Sequence, residues 1–197
     1  MNNAAQNIIK LEEETPMMQQ YITIKKEHPD SILFFRMGDF YEMFNEDAKV
    51  ASRVLEIALT SRNKNKTNPT PMCGIPHHSS KSYIAKLIKS GKKVAICEQT
   101  EDPKLTKGLV KREVVRVVTP GTILDDNLLD PKQNHFLISL HSNAKGWGFA
   151  ALDITTGLFK VTEFYGDNRE LLLQDEIEKF DPKEIIISEA LVDERNK

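Results

Sequence analysis

Cysteine is scarce in this chain. Its 197 residues include two, Cys73 and Cys97, with neither metal-type nor redox-type spacing. A disulfide framework, a zinc site and a dithiol motif are thereby excluded as organising devices, and both thiols read as reduced and buried. Long apolar runs are missing too. None approaches the ~20 residues a membrane helix needs, and residues 1–14 lack the charged-then-apolar pattern of a secretion signal. The chain is therefore expected to be cytoplasmic, with no membrane partner. No internal repeat is visible. Glycine is sparse and wrongly spaced for phosphate binding. Gly91-Lys92 has no upstream glycine and is followed by Lys93 where a hydroxyl residue should stand, and Gly121, Gly146, Gly148 and Gly157 form no dinucleotide fingerprint. No cofactor is expected in these residues.

What is present is ordinary globular composition, 40% hydrophobic and 28% charged, long enough for one or two domains with cores of their own. The net charge of −2 hides a split. Residues 17–120 hold 18 basic and 11 acidic side chains, a balance of +7, whereas residues 121–197 hold 8 and 15, a balance of −7. A basic half joined to an acidic half points to a polyanionic partner for the first half alone. Solvated charged faces are the plainer explanation of the same numbers.

The pattern along the chain predicts an α/β protein. Residues 1–14 read as a polar tail. Thr15-Pro16 is a helix start, a hydroxyl cap followed by proline in the first turn, and His28-Pro29 is its stop. SILFFRM at 31–37 reads as a buried strand broken by Gly38-Asp39. A helix over 46–59 follows, capped by Asn45, and 61–68 is a basic loop. The three prolines of 69–76 restrict that run to an edge strand or extended loop. Ser79 or Ser80 caps a third helix ending at Gly91, and strands follow at 93–98 and 110–118. Acidic, proline-bearing residues 121–133 mark a linker between a first domain at 15–120 and a second at 134–197. The second domain reads as a meander at 134–141, 147–154 and 158–164, with alternation that predicts half-buried strands. A helix at 169–180 and a strand at 184–188, able to lie parallel to the first, complete it.

Several residues invite a chemical reading. Adjacent His77 and His78 would point apart on a strand, and with no third ligand nearby they make a poor metal site. Helix capping explains Ser79 and Ser80 better than nucleophilic catalysis does. Asp153, on the middle strand of the meander and followed by Glu163, Asp175 and Glu178, stands where a ribonuclease-H-like nuclease places its first metal ligand, but the other carboxylates have no supporting spacing. A turn-stabilising role competes with that reading. The sharper signal is Gly38-Asp39-Phe40-Tyr41-Glu42-Met43-Phe44. An extended backbone puts Phe40 and Glu42 on one side and Tyr41 on the other. That sets an aromatic ring beside a carboxylate at a strand exit in the basic half. Phe40 could be core, or it could be a wedge.

The run Phe35 to Phe44 resembles the signature of the bacterial MutS family, whose mismatch-binding domain carries a Phe-x-Glu pair. The resemblance continues through Leu59-Thr60-Ser61-Arg62, Pro71 to His78, Val94 to Gln99 and Val114 to Thr122, with departures at Cys73 and His77. Leu152 to Gly157 is similar to the start of the family's connector domain, which has a ribonuclease-H-like fold without nuclease use. The resemblance implies a mixed-sheet mismatch-binding domain with flanking helices, then a partial connector. It implies that Phe40 enters the minor groove at a mismatch or small loop in double-stranded DNA and that Glu42 bonds the displaced base. Arg62 and Arg116 would contact the backbone, with Lys64, Lys66 and Lys81 as helpers, while Met37 and Met72 pad the ring. It further implies a bacterial, nucleoid-associated protein, non-enzymatic in these residues. Its full length would be a homodimer binding ATP and Mg, with MutL as a possible partner of the connector. A metal-dependent nuclease and a protein-interaction module without DNA contact are the alternatives.

Overall fold

In a computed structural model, which describes residues 14–63, 69–102, 105–122, 134–189 and 191–192, the chain divides into two compact units, Met1–Val118 and Thr119–Lys197. Among the described residues no helix is long and apolar enough to cross a membrane. Lys64 and Lys66, most of the tail and residues 123–133 lie outside the described residues.

The first unit opens with helix α1, Pro16–Glu27, whose first turn is closed by the Thr15 hydroxyl accepting the Met18 amide at 3.4 Å. Its buried face carries Met17, Met18, Tyr21 and Ile24 at helical spacing. Strand β1 (Ser31–Met37) turns back at once into β2 (Phe40–Phe44). Gly38, at φ +58°, supplies the left-handed first position this two-residue turn requires. Helix α2 (Asn45–Leu55), β3 (Thr60–Arg62), β4 (Thr70–Pro76), helix α3 (Ser80–Lys89), β5 (Lys93–Gln99) and β6 (Arg112–Val118) follow. The six strands form one sheet in the order β3-β4-β2-β1-β5-β6, mixed because β1 and β5 run parallel.

One sheet face buries Leu33, Phe35, Phe44, Ala95 and Cys97 under α1. Tyr21 meets Phe35 and Phe44 edge-on at 5.5 and 4.9 Å. Against the other face lies α2, where the Cys73 thiol reaches the Ala48 carbonyl at 3.5 Å, and α3 packs beside it. Burial pushes the Cys73 thiol up to about 11 and the Cys97 thiol up to about 12, so neither is a nucleophile at neutral pH.

Local expectations need correction at several points. The second helix stops at Leu55, not 59, because Glu56 takes the left-handed conformation at φ 58° and releases the chain toward β3. Asn45 is not its cap: Phe44 holds that place, with no side-chain bond, and Asn45 itself has φ 52°. Residues 60–62, where the sequence predicts the start of a basic loop at 61, are a strand. The proline-rich β4 is not an edge strand, since β3 pairs with its first three residues, although those three are all that β3 covers. His77 and His78 occupy a single 3-10 turn, His77–Ser79, with their rings edge to face at 5.9 Å. Ser79 holds the N-cap place of α3 but makes no side-chain capping bond: its hydroxyl instead donates back to the Pro76 carbonyl at 3.2 Å.

The second unit is a four-stranded sheet, order β10-β7-β8-β9, with β7 (Phe136–Asn143), β8 (Gly146–Asp153) and β9 (Leu158–Tyr165) as the meander. Helix α4 (Arg169–Phe180) and β10 (Glu184–Ile186) follow, and β10 runs parallel to β7. The sheet and α4 enclose Phe136, Ile138, Phe149, Ala151, Leu173 and Phe180. Strand β9 is not half-buried: it is an edge strand with almost every residue exposed. In both units helices pack on mixed sheets, which is the α/β class the sequence predicts.

Candidate nucleic-acid interface

Four phenylalanines lie between residues 34 and 44, and three of them, Phe34, Phe35 and Phe44, are fully buried. Phe40 is 48% exposed. Leaving that ring half in water forgoes about 1 kcal/mol of burial. Its place explains the exposure. Phe40 is the first residue of β2, paired with Met37 across the hairpin and with Pro76 of β4, at the end of the sheet beyond the α1 cluster.

Glu42 stands two residues on and shares that face. Gly74, its partner on β4, has no side chain between them: a Cβ there would lie 3.7 Å from the Glu42 Cγ and 3.9 Å from the Phe40 ring. The surface is thus an exposed ring and a carboxylate above bare backbone. Tyr41 points the other way, over Phe34, and its hydroxyl bonds Glu98. Burial and that carboxylate push the Tyr41 phenol up to about 12.

Glu42 does not stand alone. The Arg62 Nη1 donates to its Oε2 at 3.2 Å, and the Arg62 guanidinium lies 5.9 Å from the Phe44 ring centre. Partial burial raises the Glu42 carboxyl above the usual range, and the charges of Arg62 and Arg112 pull against that rise without cancelling it.

The hairpin tip is braced by three side chains. Arg36 Nε donates to the Gly38 carbonyl at 2.5 Å, and the His77 amide donates to the Asp39 carbonyl at 2.9 Å, with His77 Nδ1 3.0 Å from the same oxygen. From β6, Arg112 Nε donates to the Arg36 carbonyl at 2.7 Å.

Of the residues expected to act on DNA, the fold therefore brings together Met37, Phe40, Glu42 and Arg62. Met72 pairs with Phe44, at the other end of β2 from Phe40, and packs against the α1 cluster. Arg116 is exposed on β6, three strands from β2, ~14 Å across the sheet. Lys81 is exposed in the first turn of α3, the helix after the end of β4 that pairs with Phe40. Sequence reasoning missed Arg112 and Gly74. Arg112 is one of three basic residues within six positions and carries no motif, and Gly74 matters only through its register.

Asp153 is fully buried, and its Oδ1 accepts the Thr155 amide at 3.0 Å, the Thr155 hydroxyl at 2.6 Å and the Thr156 amide at 3.4 Å. Burial pushes its carboxyl up, but these donors outweigh it and leave the group below the usual range. It is the carboxylate of a turn, and among the described residues no group of three His, Cys, Asp or Glu side chains could hold a metal ion.

Comparison with known proteins gives the frame for this geometry. A family model described as MutS domain I matches residues 15–127, and one described as MutS domain II matches residues 135–197. Three relatives named DNA mismatch repair protein MutS are similar over nearly the whole chain. That of Desulforamulus reducens is 54% identical over 178 residues, 90% of this chain and 20% of the relative. Desulforapulum autotrophicum has one 56% identical over 179 residues, again 90% and 20%. The protein of Acetivibrio thermocellus is 54% identical over 182 residues, 92% and 21%. The chain thus spans about a fifth of the length of these relatives, and within that span it belongs to the MutS family, carrying its domains I and II.

Proposed function

We propose that the first unit reads mismatched or looped base pairs in double-stranded DNA, with Phe40 as a wedge and Glu42 as the group that tests the displaced base, as a step in mismatch repair. The single observation that supports it most is an exposed phenyl ring beside a half-buried carboxylate on a braced hairpin, in a family of mismatch-repair proteins. An apolar ring pushed between base steps unstacks and kinks the duplex at a cost of a few kcal/mol. A mispaired step is already weak and deforms for less, so discrimination follows from deformability rather than from a sequence code.

The Glu42–Arg62 pair gives this a second layer. A carboxylate is repelled by a phosphate surface, and Arg62 screens it in the free protein. When Arg62 turns to a phosphate, Glu42 loses its nearest counter-charge and needs a hydrogen-bond partner. A displaced base offers one and a well-paired base does not, so Glu42 serves specificity more than affinity. Arg116, Lys81, Lys64 and Lys66 are proposed backbone contacts, each worth about one unit of salt slope. Met37 backs the ring.

ATP and Mg binding, homodimer formation and a MutL contact are proposals for the whole protein. No glycine-rich phosphate loop occurs in the sequence. The test is equilibrium binding of the chain to mismatched and matched duplexes of one length. Phe40→Ala is expected to abolish the preference for the mismatch while leaving matched binding nearly unchanged. Glu42→Ala is expected to raise matched binding relative to mismatched. Equal preference in wild type and Phe40→Ala would refute the wedge.

A further inference from the structure

Arg112 is the one buried cation among the described residues, 7% exposed. Among those residues its guanidinium hydrogen-bonds only neutral acceptors. Nε donates to the Arg36 carbonyl at 2.7 Å, and Nη1 donates to the Val110 carbonyl at 2.9 Å and to Gln20 Oε1 at 3.1 Å. Nη2 lies 3.5 Å from the Met37 sulfur, and the guanidinium carbon 4.9 Å from the Phe35 ring centre. Burying a charge on neutral partners is costly, and burial accordingly lowers the pKa of this group from its usual value. Neutral acceptors alone could be met by a neutral donor, so the cation calls for a separate reason.

Position supplies that reason. Arg36 and Met37 are the last two residues of β1, and their hairpin partners are Tyr41 and Phe40. The fork of Arg112 therefore grips the root of the turn that presents Phe40, and Gln20 ties that grip to α1. Glu42 feels the same charge. Glu42 pairs with Phe35 of β1 and Gly74 of β4 and bonds Arg62 of β3, while the charge of Arg112 reaches it from β6. Tyr41, Arg36 and Glu98 interact with one another on the opposite face.

We infer that Arg112 is a positioning residue for the reading pair: its buried fork fixes the hairpin root behind Phe40, and its charge faces the Glu42 carboxylate. This rests on the proposed roles of Phe40 and Glu42. A ring driven into a base stack is pushed back with equal force, so its support must be stiff, and a planar fork with several donors gives stiffness that a lysine cannot. Because Arg112 is enclosed, it acts without touching phosphate.

Three variants of the chain test it: Arg112→Met, Arg112→Lys and Gln20→Ala. In the free protein, Arg112→Met is expected to speed amide exchange at the β1–β2 hairpin roughly tenfold, more than at the β2–β4 ladder. It should also raise the Glu42 titration midpoint, read by carboxyl NMR. Arg112→Lys should leave that midpoint near wild type yet still loosen the hairpin, and Gln20→Ala should loosen it less. With DNA, Arg112→Met is expected to lower the preference for mismatched over matched duplex about tenfold, with the salt slope unchanged. An unchanged hairpin and midpoint in a folded Arg112→Met would overturn the inference. So would a salt slope reduced by about one, which would make Arg112 a phosphate contact. If Arg112→Met does not fold, wild-type exchange in both milder variants overturns it equally. Failure of the underlying reading looks different. Wild type and Phe40→Ala would then bind alike, while exchange and titration in the free chain still decide the role of Arg112.

Discussion

Glu42 illustrates how a site residue can cost its fold something. Its carboxyl lies above the usual range because partial burial outweighs the pull of Arg62 and Arg112. A carboxyl raised on folding stabilises most below its unfolded value, and that contribution is lost as pH rises through its folded value. Glu42→Gln is therefore expected to make the first unit slightly more stable at pH 7, with the difference closing as pH falls below the carboxylate range. Denaturant unfolding at pH 7 and pH 4 checks this, and a less stable variant at pH 7 would show that the Arg62 ion pair dominates. Greater stability with poorer discrimination is what a site kept for function produces. Asp153 has the opposite sign. Its carboxyl is lowered by the Thr155 and Thr156 donors, so its contribution is present above the ordinary aspartate value and lost as pH falls below it. Asp153→Ala is expected to destabilise the second unit by about 1–3 kcal/mol at pH 7, an effect that fades in acid. Trp147, the single tryptophan and a residue of β8, reports that transition by fluorescence. An unaltered midpoint would remove the turn role.

Elements were read well where local chemistry is decisive. Thr15-Pro16 at a helix start, Gly38-Asp39 as the break after the first strand and the alternation of Phe40, Tyr41 and Glu42 each carry their structure in two or three residues. What escaped reading depends on partners far along the chain. Strand β3 exists because Met72 and its neighbours pair with it, and a polar three-residue run has no pattern of its own to announce that. The placing of β4 inside the sheet follows from the same pairing. Exposure of β9 could not be inferred from its alternation, because that depends on which strand ends up at the edge. At the site, the aromatic-acid pair was legible from spacing and family resemblance, whereas the grip of Arg112 on a turn 76 residues away was not. Two turn positions give direct tests. Gly38→Ala should cost about 1 kcal/mol, all of it backbone strain, since nothing lies within 4 Å of an added Cβ. Glu56→Gly should stabilise by ~0.5–1 kcal/mol by relieving a left-handed cap. Thermal unfolding of each variant decides, and a neutral Gly38→Ala would mean that the turn accommodates a side chain.

On the scale of the whole molecule, charge and shape divide the work. The basic balance lies in residues 17–120 and the acidic balance in 121–197, so electrostatic attraction to a duplex belongs to the first unit. Attraction of this kind draws a protein to any DNA and falls steeply with salt; in the proposed reading, discrimination between steps belongs to the Phe40 hairpin. The most direct measurement is the end-to-end distance of a mismatched duplex carrying a fluorescent donor and acceptor, at protein concentrations that saturate binding. Wild type is expected to shorten that distance by kinking the duplex at the mismatch, and Phe40→Ala, equally saturated, to leave it at the value of free DNA. The same shortening with Phe40→Ala would contradict the account.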